Sequence, residues 1–198
     1  MEIEQVFNDI YDNKRWGEYD SRGSSGPGSH ISQARPFLEF IQDFIDANSK
    51  EIKTIYDIGC GDMQYTRHLD LSKVNYTGVD CVKSVIKQNK LIFETENVKF
   101  KYKEISRHKF DYADLYIIKD VLQHLNNEIV YNFLDYITEE KLAKYIVICN
   151  CCDQKEDDED VPEIGQTRPL DGNFLPLKKY NPIVLKKYST KQICLIVV

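Results

Sequence analysis

The chain has one tryptophan, two methionines and six prolines in 198 residues. It has no apolar run approaching the ~20 residues that a membrane-spanning helix needs. It also lacks a positive excess, with 26 Lys and Arg against 32 Asp and Glu, a net charge of −6. A sequence-independent grip on nucleic acid needs a basic face, so no nucleic-acid partner is expected. The opening Met1-Glu2-Ile3-Glu4 does not have the basic, apolar, small-residue order of a secretory signal. The six cysteines show no paired C-x-x-C spacing, and the Cys149, Cys151, Cys152 cluster has no nearby His, which argues against zinc. Four of the six sit in apolar runs that read as strands or strand ends, where a thiol behaves as a small hydrophobe. Reduced thiols in the cytoplasm are the expectation. No internal repeat is visible.

What is present is ordinary for a globular protein: 42% hydrophobic and 29% charged residues. One domain over residues 1–198 is expected, divided into an N-terminal helical cap with a Gly/Ser loop (1–48), a core (49–152), and a loop with closing strands (153–198). Apolar spacing predicts a helix from Glu2 to Tyr11 and another from Ala34 to Ala47, with Pro36 near the second helix's first turn. Short apolar runs then predict strands at Lys53–Ile58, Asn75–Val79, Asn97–Ile105, Ala113–Ile118 and Tyr145–Cys149. Helical patterns fall between them at Tyr65–Leu71, Val82–Phe93 and Asn127–Ile137. That alternation predicts an α/β fold with a mostly parallel sheet and helices on both faces. Residues 153–182 break the alternation and read as a lid or a disordered stretch, with the Glu156–Asp160 acids as solvated surface. Ile183–Tyr188 and Gln192–Val198 suit an antiparallel hairpin that closes the sheet.

Ligands of open α/β sheets bind beyond the carboxyl ends of the strands. The first strand delivers Asp57-Ile58-Gly59-Cys60-Gly61-Asp62 there, and glycines let a ligand approach the backbone closely. Asp80 ends the second strand, 23 positions after Asp57, a spacing that suits an acceptor for both ribose hydroxyls. A dinucleotide site wants a third glycine, and a carboxylate beside its pyrophosphate costs electrostatic energy; here Gln64 and Asp62 stand in those places. S-adenosylmethionine has the ribose without phosphate, and its sulfonium and ammonium groups are positive, so acids suit it better.

These runs, with Tyr76-Thr77-Gly78-Val79-Asp80 and Ala113-Asp114-Leu115-Tyr116-Ile117-Ile118, resemble the first, second and fourth strand motifs of class I S-adenosylmethionine-dependent methyltransferases. The resemblance covers about residues 34–152. It implies a Rossmann-like seven-stranded sheet with a closing antiparallel hairpin, and S-adenosylmethionine as cofactor with S-adenosylhomocysteine as product. The cofactor would lie against Asp57, Gly59, Cys60, Gly61, Asp62, Asp80, Cys81, Glu104 and Ile105. One departure is that the family's helix between the fifth and sixth strands is not visible in 153–182. Trp16-Gly17, the run Ser25-Gly26-Pro27-Gly28-Ser29 and the run Lys119-Asp120-Val121-Leu122-Gln123-His124-Leu125 are similar to small methyltransferases found near or fused to glycosyltransferases in viruses and bacteria. That similarity implies a hydroxyl of a glycan or small sugar as acceptor, a glycosyltransferase as partner and, for a viral source, the host cytoplasm.

The N-terminal segment is expected to fold over the cofactor through Trp16, Ser25, Gly26 and Ser29, excluding water. Arg15, Arg22 and Arg35 are candidates to meet the cofactor carboxylate or an anionic acceptor, and Arg168–Asp171 with Phe174 to wall the acceptor pocket. Asp120 and His124, four apart past the fourth strand, would share one face of a helix start. His124 is the candidate general base for a hydroxyl acceptor, with Asp120 assisting. Asp120 with a second carboxylate is also a candidate holder of a divalent metal. Alternatives are a methyltransferase acting on RNA, protein or a small metabolite, and a non-catalytic cofactor-binding subunit.

Overall fold

The strand pattern of the sequence is realised in a computed structural model that describes residues 3–17 and 24–198. Arg22, a candidate cofactor contact, lies outside the described residues. Two compact units are present, Met1–Glu104 and Ile105–Val198.

The first unit contains helices α1 (Ile3–Asp12), α2 (Ile31–Ala47) and α3 (Lys83–Phe93), and strands β1 (Thr54–Ile58), β2 (Asn75–Asp80) and β3 (Val98–Tyr102). The strands are parallel, with Ile58 opposite Val79 and Val79 opposite Lys101. Helix α2 begins three residues before the expected Ala34, because the His30 ring accepts a bond from Ser32 N at 3.4 Å and meets the Ser32 hydroxyl at 2.8 Å. Pro36 therefore sits past the first turn and cannot supply an N–H to the helix ladder. The helix expected over Tyr65–Leu71 is only a 3-10 turn, Thr66–His68. Met63, with φ of 63°, starts that stretch in the left-handed region, and Leu69 ends it in an extended conformation.

The second unit contains strands β4 (Ala113–Lys119), β5 (Ala143–Cys151), β6 (Ile183–Tyr188) and β7 (Lys191–Val197), and helix α4 (Asn127–Glu139). Strands β4 and β5 are parallel; β7 runs antiparallel to both β5 and β6. Leu115, Tyr116, Ile117 and Ile118 of β4 are fully buried, as a continuous apolar run requires, and each such residue stabilises the fold by about 1.5–3 kcal/mol. The seven strands run in the order β3-β2-β1 within the first unit and β4-β5-β7-β6 within the second, which the expected hairpin closes.

Residues 153–182 are neither helical nor unstructured. Apart from the 3-10 turn Leu177–Tyr180 they hold no regular element, yet many of their polar groups are paired within the unit. Gln154 donates to Leu175 O at 2.7 Å, and Leu170 N donates to Cys151 O at 2.6 Å. The acidic run is exposed, as expected, but it also caps: Asp160 accepts Asn127 N at 3.0 Å at the start of α4, and Asp157 accepts Leu175 N at 2.8 Å. Among the described residues, no helix is long and apolar enough to cross a membrane.

Candidate active site

In the first unit the turn after β1 is fixed through its backbone groups by β2 and α3. Gly59 N and Cys60 N both donate to Val79 O, at 2.8 and 3.0 Å, and Gly61 N donates to Asp80 Oδ2 at 3.1 Å. Asn89 of α3, which the sequence reading missed, donates to Gly61 O at 2.7 Å. At Gly61, φ is 53°, and a Cβ would collide with the Ser25 hydroxyl and stand 3.2 Å from the Tyr11 hydroxyl. Both conditions demand glycine. Cys60 is buried behind the turn and Cys81 is half-buried; burial pushes both thiols up.

Asp80 is buried, its Oδ1 accepting Val82 N at 3.0 Å and its Oδ2 accepting Gly61 N. Burial raises its carboxyl to about 6, against the opposing pull of those N–H groups. Lone pairs left on the carboxylate can still accept from ribose hydroxyls. Asp57 is braced instead, its Oδ2 accepting the Tyr76 hydroxyl at 2.7 Å and the Thr66 hydroxyl at 3.2 Å. Glu104 is buried past β3. Ile105 opens the second unit and is half-buried.

The N-terminal segment lies on this turn. Asp62 Oδ2 accepts Ser24 N at 2.7 Å and Ser25 N at 3.2 Å, while Asp62 N donates to the Ser25 hydroxyl at 3.1 Å. Tyr11 of α1 meets the same Ser25 hydroxyl at 2.7 Å. Trp16 packs against Phe7 and Tyr11, and its Cβ would be 3.3 Å from one on Gly26. Ser29 closes the loop by donating to Ser25 O at 3.2 Å. Asp62 Oδ1 is buried and has no hydrogen-bond partner among the described residues, a place that suits a cationic group such as the cofactor's ammonium. Arg15 pairs with Asp9 at 2.7 Å on the exposed surface and Arg35 is exposed, so neither is committed to this turn.

In the second unit Asp120 and His124 do not share a helix. Asp120 takes φ of 56°, and a 3-10 turn, Leu122–His124, follows. That left-handed residue breaks the helical register that would have stacked the two side chains. Asp120 is clamped by Lys119 Nζ at 2.6 Å and by Lys191 Nζ. Burial pushes its carboxyl up, but the two ammonium groups outweigh this and hold it below the ordinary carboxylate range. A divalent cation would have to displace both lysines, so this donor set does not suit a metal. Among the described residues no group of three or more His, Cys, Asp and Glu side chains is placed to hold one. Lys191 carried no signal in the sequence.

His124 is buried, with Nδ1 3.1 Å from Gln166 O and 3.2 Å from the Thr167 hydroxyl. Burial lowers the ring's pKa below its usual value, with Asp120 acting in the opposite direction, so the imidazole is neutral at pH 7. Arg168 and Asp171, expected to wall a pocket, are buried structural groups of this unit, whereas Phe174 is half-buried.

Residues 56–137 match the family model for a methyltransferase domain. No curated protein matches the chain. Among solved structures, the magnesium protoporphyrin IX methyltransferase of Synechocystis PCC 6803 with bound S-adenosylmethionine is similar at a TM-score of 0.69 and 11% identity, over 100% of this chain and 97% of that one. The N-methyltransferase NodS of Bradyrhizobium japonicum WM9, in complex with S-adenosyl-L-homocysteine, gives 0.64 and 10%, over 96% and 98%. The N-terminal domain of EvdMO1, in the presence of S-adenosylhomocysteine and D-fucose, gives 0.60 and 13%, over 81% and 82%. At these identities the likeness is one of fold, the Rossmann-like fold of class I methyltransferases. The family model, which describes a methyltransferase domain, covers less than half of the chain.

Proposed function

We propose that this chain is an S-adenosylmethionine-dependent methyltransferase that methylates a hydroxyl oxygen, and that the acceptor is a sugar of a glycan. The observation that carries the reading is His124, a buried imidazole kept neutral in a polar setting past β4. A sugar hydroxyl is a weak acid, so a base must take its proton as the oxygen attacks; a neutral amine or a thiolate needs none to attack. Asp120 is too acidic in its lysine clamp to take that proton near neutral pH, but its charge raises the basicity of His124.

S-adenosylmethionine supplies, when bound, an electrophilic methyl group on a cationic sulfur. The chain's own residues hold and screen it: Gly59 and Gly61 admit it to the backbone, Asp80 takes the ribose, and Asp62 faces the ammonium. Trp16, Ser25, Gly26 and Ser29 exclude water from above, with Cys60, Cys81, Glu104 and Ile105 beside the adenosyl group. The remaining rate gain comes from alignment of acceptor oxygen, methyl carbon and sulfur, an effect worth several kcal/mol. Support for a sugar comes from the likeness to glycosyltransferase-associated methyltransferases and from a neighbour crystallised with D-fucose. A glycosyltransferase partner and a cytoplasmic setting belong to the same reading, the latter supported by six unpaired thiols.

The test is transfer of a labelled methyl group from S-adenosylmethionine to a panel of glycans, RNA, proteins and small metabolites. Label in glycan, lowered about 10²–10⁴-fold by His124→Asn with cofactor binding intact, is expected. Label in RNA or protein alone, or binding without turnover, would replace the reading with one of its rivals.

A further inference from the structure

The stretch Gly165–Arg168, read from sequence as part of a lid or a disordered loop, is bound along the turn that carries His124. Gly165 N donates to His124 O at 2.9 Å and Arg168 N donates to Gln123 O at 3.1 Å. Arg168 Nη2 reaches further, to Leu125 O at 3.1 Å and Asn127 Oδ1 at 2.7 Å. Every backbone carbonyl from Gln123 to Leu125 is therefore taken by this strap. Its anchor, the Arg168 guanidinium, is 3% exposed, with Nε 3.8 Å from Asp160 Oδ1 and without a hydrogen bond at Nε or Nη1 among the described residues. Burying a cation so incompletely paired is a poor way to gain stability.

The strap also decides which ring nitrogen of His124 bears the proton. Gln166 O is a carbonyl and can only accept, so Nδ1 must donate to it. The other side of the ring agrees independently. Gln123 Oε1 accepts Cys151 N at 2.9 Å, which turns the amide so that its NH2 faces His124 Nε2 at 3.4 Å. Nε2 is then an acceptor, and Asp120 and Lys191 are among the charged groups acting on the ring.

We infer that the Gly165–Arg168 strap holds His124 as its Nδ1–H tautomer, making Nε2 the basic atom, and that Arg168 is the positioning residue that anchors the strap. The inference rests on the proposed base role only for its effect on turnover; the tautomer is a separate observable.

The decisive measurement is nitrogen NMR of the His124 ring in the wild-type chain near pH 7.5. A protonated, pyrrole-type Nδ1 and a pyridine-type Nε2 are expected; the reverse pattern, or an even mixture, overturns the inference. Arg168→Lys keeps the charge but not the two-sided grip, and should mix the tautomers and lower kcat about tenfold with KM for the cofactor unchanged. Arg168→Ala should lower kcat further. Thr167→Val, a milder change next to the ring, should leave the Nδ1–H form in place. An Arg168→Lys chain with the wild-type ring signals and turnover would leave Arg168 a purely structural residue and end its assignment. Full activity of His124→Asn beside the expected ring signals would instead remove the base reading and leave the tautomer assignment standing.

Discussion

The turn after β1 and the segment after β4 each stand just past the carboxyl end of a strand, one in each unit, yet they are held by different means. The first is a glycine turn held by groups close in sequence: Val79 O, the Asp80 carboxylate at a separation of 19, and the Asn89 side-chain amide at 28. The second is fixed by side chains and loop carbonyls that arrive from far along the chain, Gln166 at a separation of 42 and Lys191 at 71. A backbone turn tolerates few sequences, because φ values such as 69° at Gly59 and 53° at Gly61 exclude most side chains. A side-chain clamp can be built from many residue types at many positions. The cofactor end should therefore fail sharply at single residues, and the other end should fail by degrees.

Asp80→Ala makes that contrast most severe. It removes the acceptor of Gly61 N and Val82 N together with the two positions expected to hold the ribose. Two charge-assisted hydrogen bonds correspond to at least ~3 kcal/mol, roughly a hundredfold in Kd. Calorimetric titration with S-adenosylmethionine reads the effect directly. Affinity within a few-fold of wild type would make the turn a structural feature and move the cofactor elsewhere.

The same contrast explains what could be read in advance. Strands β1, β2, β4 and β5 declared themselves as short apolar runs, and Gly59, Gly61 and Asp80 as a spaced motif, because each signal is local. Asp120 and His124 were visible as residue types but not in their geometry. A φ of 56° at Asp120 is not encoded in a helical periodicity, and it is stabilised by a lysine that lies 71 positions away. The loop over 153–182 was least legible. Its order comes from single hydrogen bonds such as Gln154 to Leu175 O, which leave no periodic trace. The 3-10 turn at Thr66–His68 was missed for a related reason: Thr66 is committed to Asp57 rather than to a helix ladder.

Lys191→Met tests the graded end. It removes one of two ammonium groups from Asp120 while Lys119 remains at 2.6 Å. Breaking a buried pair outright costs about 3–5 kcal/mol, and with one partner retained the loss should be roughly 2–3 kcal/mol in urea unfolding. Cofactor affinity should be untouched. A stability unchanged within 0.5 kcal/mol, on the order of an ordinary surface substitution, would mean that Lys119 alone satisfies the carboxylate.

Acid separates the two carboxylates by sign. Burial raises Asp80 to about 6 in the fold, above its ordinary 3.8, so its stabilising contribution is complete below 3.8 and is lost as pH rises through about 6. Wild type should therefore gain stability over Asp80→Asn as pH falls from 7 to 4. Cofactor affinity should move the other way, dropping about tenfold by pH 5 as the ribose acceptor takes a proton. Asp120 is held below its ordinary range, so its contribution is present above 3.8 and is lost only as pH falls beneath that value. Affinity and Asp80-linked stability rising together on acidification would contradict the burial argument.

The gentlest probe is Tyr11→Phe, which asks whether the N-terminal segment is part of the cofactor end or merely rests on it. The phenol gives one hydrogen bond at 2.7 Å to the Ser25 hydroxyl, which in turn accepts Asp62 N. Burial and the nearby Asp80 and Asp62 push that phenol's pKa up, so it stays neutral throughout the working range. Phe keeps the ring against Trp16 and deletes only the hydroxyl, a change of about 1 kcal/mol. If the Ser25 segment covers bound cofactor, losing its tether should speed cofactor release several-fold and leave the folding transition nearly unmoved. If the segment instead has to leave for the cofactor to enter, the weaker tether should raise affinity by a similar factor. Stopped-flow release of S-adenosylhomocysteine distinguishes the two by sign. An off-rate equal to wild type would show that the Tyr11–Ser25 bond belongs to neither, and the water-excluding role would rest on Trp16 and Gly26 alone.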